Sequence, residues 1–145
     1  MKPPPRDPTA LGPLGRCLAE AAFTGYRLLG TPATPLIRNY LKRRLERGRE
    51  DPDRIQERYG KASVTRPAGP LLWIHGASVG EAQSALPLLE RLRNDWPDFS
   101  IVITTGTVTS ARLMAERLPE GVIHQFVPVD LPGAVTRFLD HWQPE

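Results

Sequence analysis

Apolar residues in the second half of the chain follow two alternating periods. Short apolar runs predict strands, and stretches with apolar residues three and four positions apart predict helices. The predicted order is strand 71–75, helix 81–96, strand 101–105, helix 109–118, strand 122–127 and a helix that begins near Pro132. Three strand–helix repeats imply parallel strands joined by right-handed crossovers. We expect the first strand to be covered on both faces, because its run is apolar without alternation.

Pro87 conflicts with the first of these helices, because proline lacks the N–H that a helix interior requires. Two alternatives remain open. Either the helix bends at Pro87, or it begins later and uses Ser84 as its N-cap.

The first half of the chain predicts two amphipathic helices. Residues 14–29 form the first, and residues 36–47 form a second, basic helix that Gly48 terminates. Residues 30–35, which contain one glycine and two prolines, separate them. The first stripe consists of Leu14, Cys17, Leu18, Ala21, Ala22, Leu28 and Leu29, and the second of Ile37, Leu41 and Leu45.

Two further segments have a polar composition. Residues 1–13 are rich in proline and predict a disordered tail. Residues 49–70 predict a connector with one short helix, which ends at the glycine and prolines before the first strand. Because the strand–helix repeats begin only after these segments, we expect a single domain to begin at residue 71.

Charge divides the chain at about the same point. Residues 1–70 hold 14 Lys/Arg and 7 Asp/Glu, whereas residues 71–145 hold 5 and 9. A basic amphipathic segment indicates attachment to an anionic membrane surface. The alternative is that the helices pack on their own domain and leave a solvated basic face. Nucleic acid is disfavoured as the partner, because no aromatic platform accompanies the cations. A membrane-spanning helix is also disfavoured, because no apolar stretch reaches the roughly 18 residues that cross a bilayer.

Glu81 is the candidate catalytic residue. It follows the first strand and a loop with two glycines, Gly76 and Gly80, at the carboxyl edge where open α/β sheets bind ligands. A carboxylate there would be an available base near neutral pH. The competing interpretation is that an acidic residue in a first helical turn interacts favourably with the helix dipole. The sequence pattern alone favours the dipole.

Hydroxyls and glycines at the same edge are candidate substrate-binding residues. Ser78 and Gly80 follow the first strand, and Thr105, Gly106 and Thr107 follow the second. Each also fits ordinary capping or turn chemistry. We interpret the two strand histidines, at positions 75 and 124, as structural, and the histidines and cysteine are too scattered to predict a metal site.

Four segments together resemble the 3-deoxy-D-manno-octulosonic acid (Kdo) transferases of lipopolysaccharide synthesis. Residues 73–81 resemble the family signature W-x-H-x-A-S-x-G-E. The other segments, in the same order and spacing as in the family, are residues 50–63, residues 104–107, and residues 128–135 with 138–142.

The resemblance implies a GT-B glycosyltransferase, in which two Rossmann-like halves enclose the active site. This chain corresponds to part of the N-terminal, acceptor-side half, preceded by basic amphipathic helices. In the family, the glutamate at the position of Glu81 is the general base. It removes a proton from a hydroxyl of the lipid A precursor, which attacks CMP-Kdo with inversion and without a metal or further cofactor. The resemblance also implies attachment to the cytoplasmic face of the bacterial inner membrane.

Two departures from the family pattern qualify these expectations. The N-terminal segment is more polar than the usual anchor, so we expect interfacial rather than spanning attachment. The sequence does not include the donor-binding half, and we expect residues 71–145 to be a truncated acceptor-side domain. The alternative function is therefore a membrane-associated fragment that binds anionic lipid without turnover.

Overall fold

The computed structural model describes residues 13–145, apart from the side chains of residues 13–19, 22–23, 27–29 and 31. The elements are α1 Pro13–Glu46, α2 Ile55–Arg58, β1 Leu71–Gly76, α3 Val79–Asp95, β2 Ser100–Thr105, α4 Val108–Arg117, β3 Val122–Phe126 and α5 Pro132–Trp142. The strands pair in parallel in the order β1-β2-β3. This confirms the predicted α/β class with a partial, Rossmann-like parallel sheet. The predicted tail lies almost wholly outside the described residues.

The two faces of the sheet are covered by different helices. Helices α3 and α4 contact each other and share one face, where Leu89, Ile103 and Met114 are fully buried. Helix α5 covers the other face, where Phe138 and Trp142 pack on β1 and β2. The chain therefore changes faces after β3.

Strand β1 is less covered than predicted. Leu71 is fully buried, but Trp73 is 40% exposed and His75 is also exposed. Leu72 and Ile74 pack against the α3–α4 cluster, and Leu71 and Trp73 pack against Phe138, so both faces are covered as predicted except at the carboxyl end of the α5 face. After α5 the backbone returns to this strand, where the N–H of Glu145 donates to the carbonyl of Leu71 at 2.9 Å.

Helix α3 begins at Val79, so the late start at Ser84 is wrong. The Ser78 hydroxyl caps the helix by accepting from the N–H of Glu81 at 3.2 Å. Pro87 is tolerated inside α3, because the carbonyl that it leaves unpaired belongs to the exposed residue Gln83.

The two predicted N-terminal helices are one continuous helix, α1, that includes Pro32 and Pro35. Gly30 does not end it. A Cβ on Gly30 would lie 2.4 Å from Cδ of Pro132, so this glycine lets α1 approach the start of α5. The Thr34 hydroxyl, between the two prolines, donates to the Gly30 carbonyl at 3.4 Å. Contact with the neighbouring helix therefore outweighs the local signals for a break.

The C-terminal end of α1 agrees with the sequence. Gly48 adopts φ +64°, and the N–H groups of Gly48 and Arg49 donate to the carbonyls of Leu45 and Arg44. This is a Schellman motif, which requires the left-handed conformation that glycine accepts readily. Gly48 is confirmed as the terminator.

The apolar stripe of the second predicted helix faces the protein. Leu41 is 1% exposed, and Ile37 and Leu45 are partly buried. Most side chains of the apolar stripe predicted for residues 14–29 lie outside the part of the chain that the structure describes. Among the described residues, no helix is long and apolar enough to cross a membrane.

Candidate functional site

The loops that follow β1 and β2 lie side by side at the carboxyl edge of the sheet. A Cβ on Gly106 would lie 3.6 Å from the carbonyl oxygen of Ala77. The two glycines of the first loop differ in purpose. A Cβ on Gly76 would approach the Ala82 nitrogen to 3.0 Å, so Gly76 allows α3 to pack closely, whereas nothing lies within 4 Å of such a Cβ on Gly80. The first turn of α3 therefore faces open space at Gly80.

The carboxylate of Glu81 lies at this open turn and is exposed. One oxygen, Oε2, accepts a hydrogen bond from the N–H of Ala77 at 2.8 Å. Together with the bond between Ser78 Oγ and the Glu81 N–H, this forms a variant of the capping box. The second oxygen, Oε1, makes no hydrogen bond to any residue that the structure describes. Glu81 therefore closes the helix start and still presents one oxygen to solvent.

Ser78 and Thr107 both cap helices. Ser78 caps α3, and the Thr107 hydroxyl accepts from the N–H of Ser110 at 3.1 Å and contacts Ser110 Oγ at 2.8 Å. The capping interpretation of these hydroxyls is correct, and a further role in binding substrate stays a prediction. The structure places both, with Gly80 and Gly106, on the loops of one sheet edge.

Thr105, another predicted substrate residue, is fully buried on the α3–α4 side of β2. Its hydroxyl contacts Nε2 of His124 at 2.9 Å. Arg54, whose guanidinium is an obligate donor, lies 3.2 Å from the other ring nitrogen, Nδ1. With Nδ1 facing this donor, the neutral ring that matches both contacts carries its proton on Nε2 and donates to Thr105. Burial, and then the charge of Arg54, lower the pKa of His124 to about 4.

Thr104, the preceding residue of β2, is also fully buried but faces α5. Its hydroxyl accepts the indole N–H of Trp73 at 2.9 Å. His75, the direct partner of Thr104 in the β1–β2 ladder, places Nδ1 2.9 Å from the same hydroxyl and 3.1 Å from the Thr104 carbonyl oxygen. The two consecutive threonines therefore each bind a histidine, on opposite faces of the sheet.

The segment predicted as a connector contains two buried carboxylates. Glu57 is 1% exposed and accepts from Arg54 at 2.8 and 2.9 Å, from Ser63 at 2.7 Å, and from the N–H of Phe126 at 2.7 Å. Glu50 is 4% exposed and pairs with Arg44 and Arg58 at 2.6 and 3.3 Å. Burial is also the main cause that lowers the pKa of Arg58.

The Arg44–Glu50 ion pair attaches the segment to α1, and hydrogen bonds from Phe126 to Glu57 and from Arg54 to the His124 carbonyl attach it to β3. Sequence reasoning missed this cluster, and the Arg54–Glu57 spacing of three residues was the only local signal of it. Beside it, a cavity of about 320 Å³ opens between residues 48–54 and α4 and is lined by Asp51, Arg54 and Arg112 among others. Glu81 is not part of its lining. Among the described residues, no three His, Cys, Asp or Glu side chains are grouped to hold a metal ion.

The chain changes faces after β3, so that α5 returns to pack on β1 and β2, and a carboxylate and an imidazole lie at the carboxyl end of β1. Such a change of face marks the ligand-binding edge of open α/β sheets, so fold and site define an α/β domain of the ligand-binding, Rossmann-like class. The family model described as "3-Deoxy-D-manno-octulosonic-acid transferase (kdotransferase)" matches residues 53–145. The chain belongs to this family, which confirms the resemblance seen in the sequence.

Curated relatives agree with this assignment. The chain is 41% identical over 119 residues to a probable mitochondrial 3-deoxy-D-manno-octulosonic acid transferase of Arabidopsis thaliana, covering 82% of this chain and 27% of the relative. It is 40% identical over 95 residues to the Haemophilus influenzae transferase, covering 63% and 22%. For the Rickettsia felis transferase the identity is 40% over 77 residues, covering 53% and 17%. The chain thus spans about a quarter or less of these relatives, and no solved structure matches it.

Proposed function

We propose that this chain is the acceptor-side part of a GT-B glycosyltransferase that transfers Kdo from CMP-Kdo to the lipid A precursor. The observation that carries the proposal is Glu81, an exposed carboxylate held at the carboxyl edge within the family signature. The relatives' names, which state Kdo transfer, support the reaction class. Lipopolysaccharide synthesis and the cytoplasmic face of the bacterial inner membrane follow as parts of the same proposal.

Glu81 acts as the general base of this reaction. Oε1 takes the proton of the acceptor hydroxyl while the hydroxyl oxygen attacks the anomeric carbon of Kdo. The bond from that carbon to the CMP phosphate breaks, CMP leaves with the electron pair, and the configuration inverts. The Ala77 N–H on Oε2 fixes the carboxylate in place, which reduces the entropy lost on reaching the attack geometry. No metal ion or cofactor is required in this scheme.

The same edge supplies the acceptor-binding surface of the proposal. Ser78, Gly80, Gly106 and Thr107 lie on its two loops, and Gly80 leaves the approach to Glu81 open. Thr105 would act from below this surface through its bond to His124, since its own side chain is fully buried.

Helix α1 provides the membrane contact in this proposal. Leu36 is 71% exposed and Tyr40 is 53% exposed, and among the described side chains the exposed cations on or directly after the helix are Arg38, Lys42, Arg43 and Arg47. Apolar side chains next to cations suit the interface of an anionic bilayer. Because Leu41 packs inside the protein, this contact is interfacial and relies on exposed residues beside the predicted stripe.

The test is Glu81→Gln in a protein that joins this chain to the remaining length of the relatives. Glutamine keeps an acceptor for the Ala77 N–H but cannot take a proton at neutral pH, so transfer should fall by about 10²–10⁴-fold. Acceptor binding should be retained. Glu90→Gln, at an exposed position of the same helix, is the matched control. Full activity of the Glu81 variant would refute its assigned role.

The second candidate function is lipid binding without turnover by this chain alone. The charge of α1 favours it, as does the small share of the relatives' length that the chain spans. Incubation of the 145-residue chain with CMP-Kdo and lipid A precursor distinguishes the two functions. We expect binding to anionic vesicles and no transfer, and measurable transfer would show that this chain suffices for the reaction.

A further inference from the structure

His75 has an exposed ring nitrogen that the proposed reaction does not use. Its Nδ1 is bound to Thr104, whereas no described residue hydrogen-bonds to its Nε2. We propose that Nε2 of His75 accepts a hydrogen bond from a hydroxyl group of the acceptor sugar, so that His75 positions the acceptor beside Glu81. This inference rests on the proposed function, since it names a second contact to the same substrate.

The contacts of Nδ1 with Thr104 favour one tautomer of His75. The Thr104 carbonyl oxygen, 3.1 Å from Nδ1, can only accept, so this contact is a hydrogen bond only if Nδ1 is protonated. In the other tautomer the Thr104 hydroxyl would donate to Nδ1 across 2.9 Å, but the carbonyl contact would then join two acceptors. With Nδ1 protonated, the hydroxyl accepts from Trp73 and its own proton has the carbonyl oxygen of Ile74 within 3.5 Å. We take this tautomer, in which the neutral ring exposes a lone pair on Nε2.

The exposed lone pair on Nε2 of His75 favours a ligand group that donates a hydrogen bond. Sugar hydroxyls donate hydrogen bonds, whereas the oxygens of a phosphate dianion only accept and would find no proton on Nε2 of the neutral ring. A hydroxyl group is therefore the chemical partner that matches this tautomer.

The support under His75 is rigid, as a binding residue requires. Thr104 is fully buried, and the Trp73 ring that donates to it packs on Phe138 with ring centroids 4.9 Å apart. A side chain held in this way loses little entropy when it binds a ligand.

His75 also lies at the same end of β1 as the proposed base. It precedes Ala77 by two residues, and the N–H of Ala77 binds the Glu81 carboxylate. Both groups therefore lie at the carboxyl end of β1, the edge at which the proposed function puts the acceptor sugar.

Two substitutions separate the ring nitrogens. In His75→Asn the amide N–H replaces Nδ1 and keeps the bond to Thr104, but nothing replaces Nε2. In His75→Gln an amide oxygen reaches the position of Nε2 and can accept from a hydroxyl. Loss of one neutral hydrogen bond predicts a dissociation constant for lipid A precursor about tenfold higher for His75→Asn, and within about threefold of wild type for His75→Gln.

The measurement combines acceptor titration with nitrogen-15 NMR of the histidine rings in the 145-residue chain. We expect the Nδ1–H tautomer for His75, a shift of its Nε2 resonance on addition of detergent-solubilised lipid A precursor, and no shift with inorganic phosphate. His141 of α5, whose Nε2 contacts the carbonyl oxygen of Val64 at 3.0 Å, serves as internal control, and its resonances should not move. In the longer protein the Asn variant should raise KM for the acceptor and leave kcat nearly unchanged.

Each other outcome overturns the inference. An Nε2–H tautomer, a response of His75 to inorganic phosphate, or equal acceptor affinity for wild type and His75→Asn would do so. Those results would leave the role of Glu81 intact, since Glu81→Gln is scored by transfer and His75→Asn by binding. If the wild-type chain bound no acceptor at all, the acceptor-side proposal and this inference would both fail.

Discussion

Thr104 and Thr105 are consecutive, fully buried residues of β2, and each binds a histidine of a neighbouring strand. The two pairs differ in what lies beyond the imidazole. His124 meets Arg54, which is held by the buried carboxylate of Glu57, whereas the outer nitrogen of His75 meets solvent. The Thr105–His124 pair therefore stabilises the fold on one face of the sheet. The Thr104–His75 pair, on the other face, leaves a ring nitrogen available for binding.

The largest expected effect lies on the His124 side. Glu57→Ala leaves the Arg54 guanidinium and the Phe126 N–H without their buried partner. The free energy of unfolding should fall by about 3–5 kcal/mol, as for other buried pairs that lose one member. Chemical denaturation followed by circular dichroism measures this loss.

The control for Glu57 is Asp95→Ala, which removes a carboxylate from an ion pair whose two side chains are 81% and 55% exposed. Surface pairs of this kind contribute little, so its effect should stay within about 0.5 kcal/mol. Equal losses in the two variants would show that the Arg54–Glu57–His124 cluster is not a structural centre.

The second effect is the pH dependence that His124 confers. Its pKa is lowered from 6.5 to about 4, so between these values the unfolded chain binds the proton that the folded chain excludes. Stability from this group is complete above about pH 6.5 and is lost as pH falls towards 4, by up to about 3 kcal/mol. The groups that face the ring are Arg54 and Glu57, and the charge of Glu57 opposes the shift.

Unfolding of wild type and His124→Gln at pH 7.5 and 4.5 isolates this contribution. The glutamine variant should lose less stability on acidification, because it lacks the group that the fold keeps neutral. If His124→Gln retained the wild-type pH dependence, the ring would have to be accessible to protons in the folded state.

The contrast between the two faces also separates what the sequence could predict from what it could not. The period of apolar residues locates every strand of the described sheet, and the acidic residue Glu81 indicates a first helical turn, because both signals are local. Pairing across strands is not local. His75 meets Thr104 only because of the parallel register of β1 and β2, and Glu57 reaches Phe126 across 69 residues.

Helix α1 also shows the limit of local sequence signals, because here they predict a break that the structure does not have. A glycine and two prolines are correct local signals for a break, but α1 continues because it contacts α5 and the loop before it. The Tyr26 hydroxyl donates to Asp130 in that loop at 2.8 Å, and burial together with this bond raises the pKa of Tyr26 to about 12. Tertiary packing decided the outcome, which no local pattern could reveal.

The third-largest loss of stability is expected for Thr105→Val, the first of two matched threonine substitutions. Valine keeps the shape but leaves the Nε2–H of His124 without an acceptor in a site where water is largely excluded. An unsatisfied buried donor costs about 1–3 kcal/mol, which denaturant unfolding would report. A loss below about 0.5 kcal/mol would mean that His124 finds another acceptor and that the bond is dispensable.

Of the two threonine substitutions, Thr104→Val is expected to cause the smaller loss of stability. Trp73 is 40% exposed and His75 is also exposed, so water can replace the lost hydroxyl for both. We expect a cost of about 1 kcal/mol or less, below that of Thr105→Val. The imidazole of His75 should nevertheless lose its fixed orientation, visible as broadened ring resonances. If Thr104→Val instead cost as much as Thr105→Val, both pairs would be structural, and the exposed nitrogen of His75 would be incidental to its place in the fold.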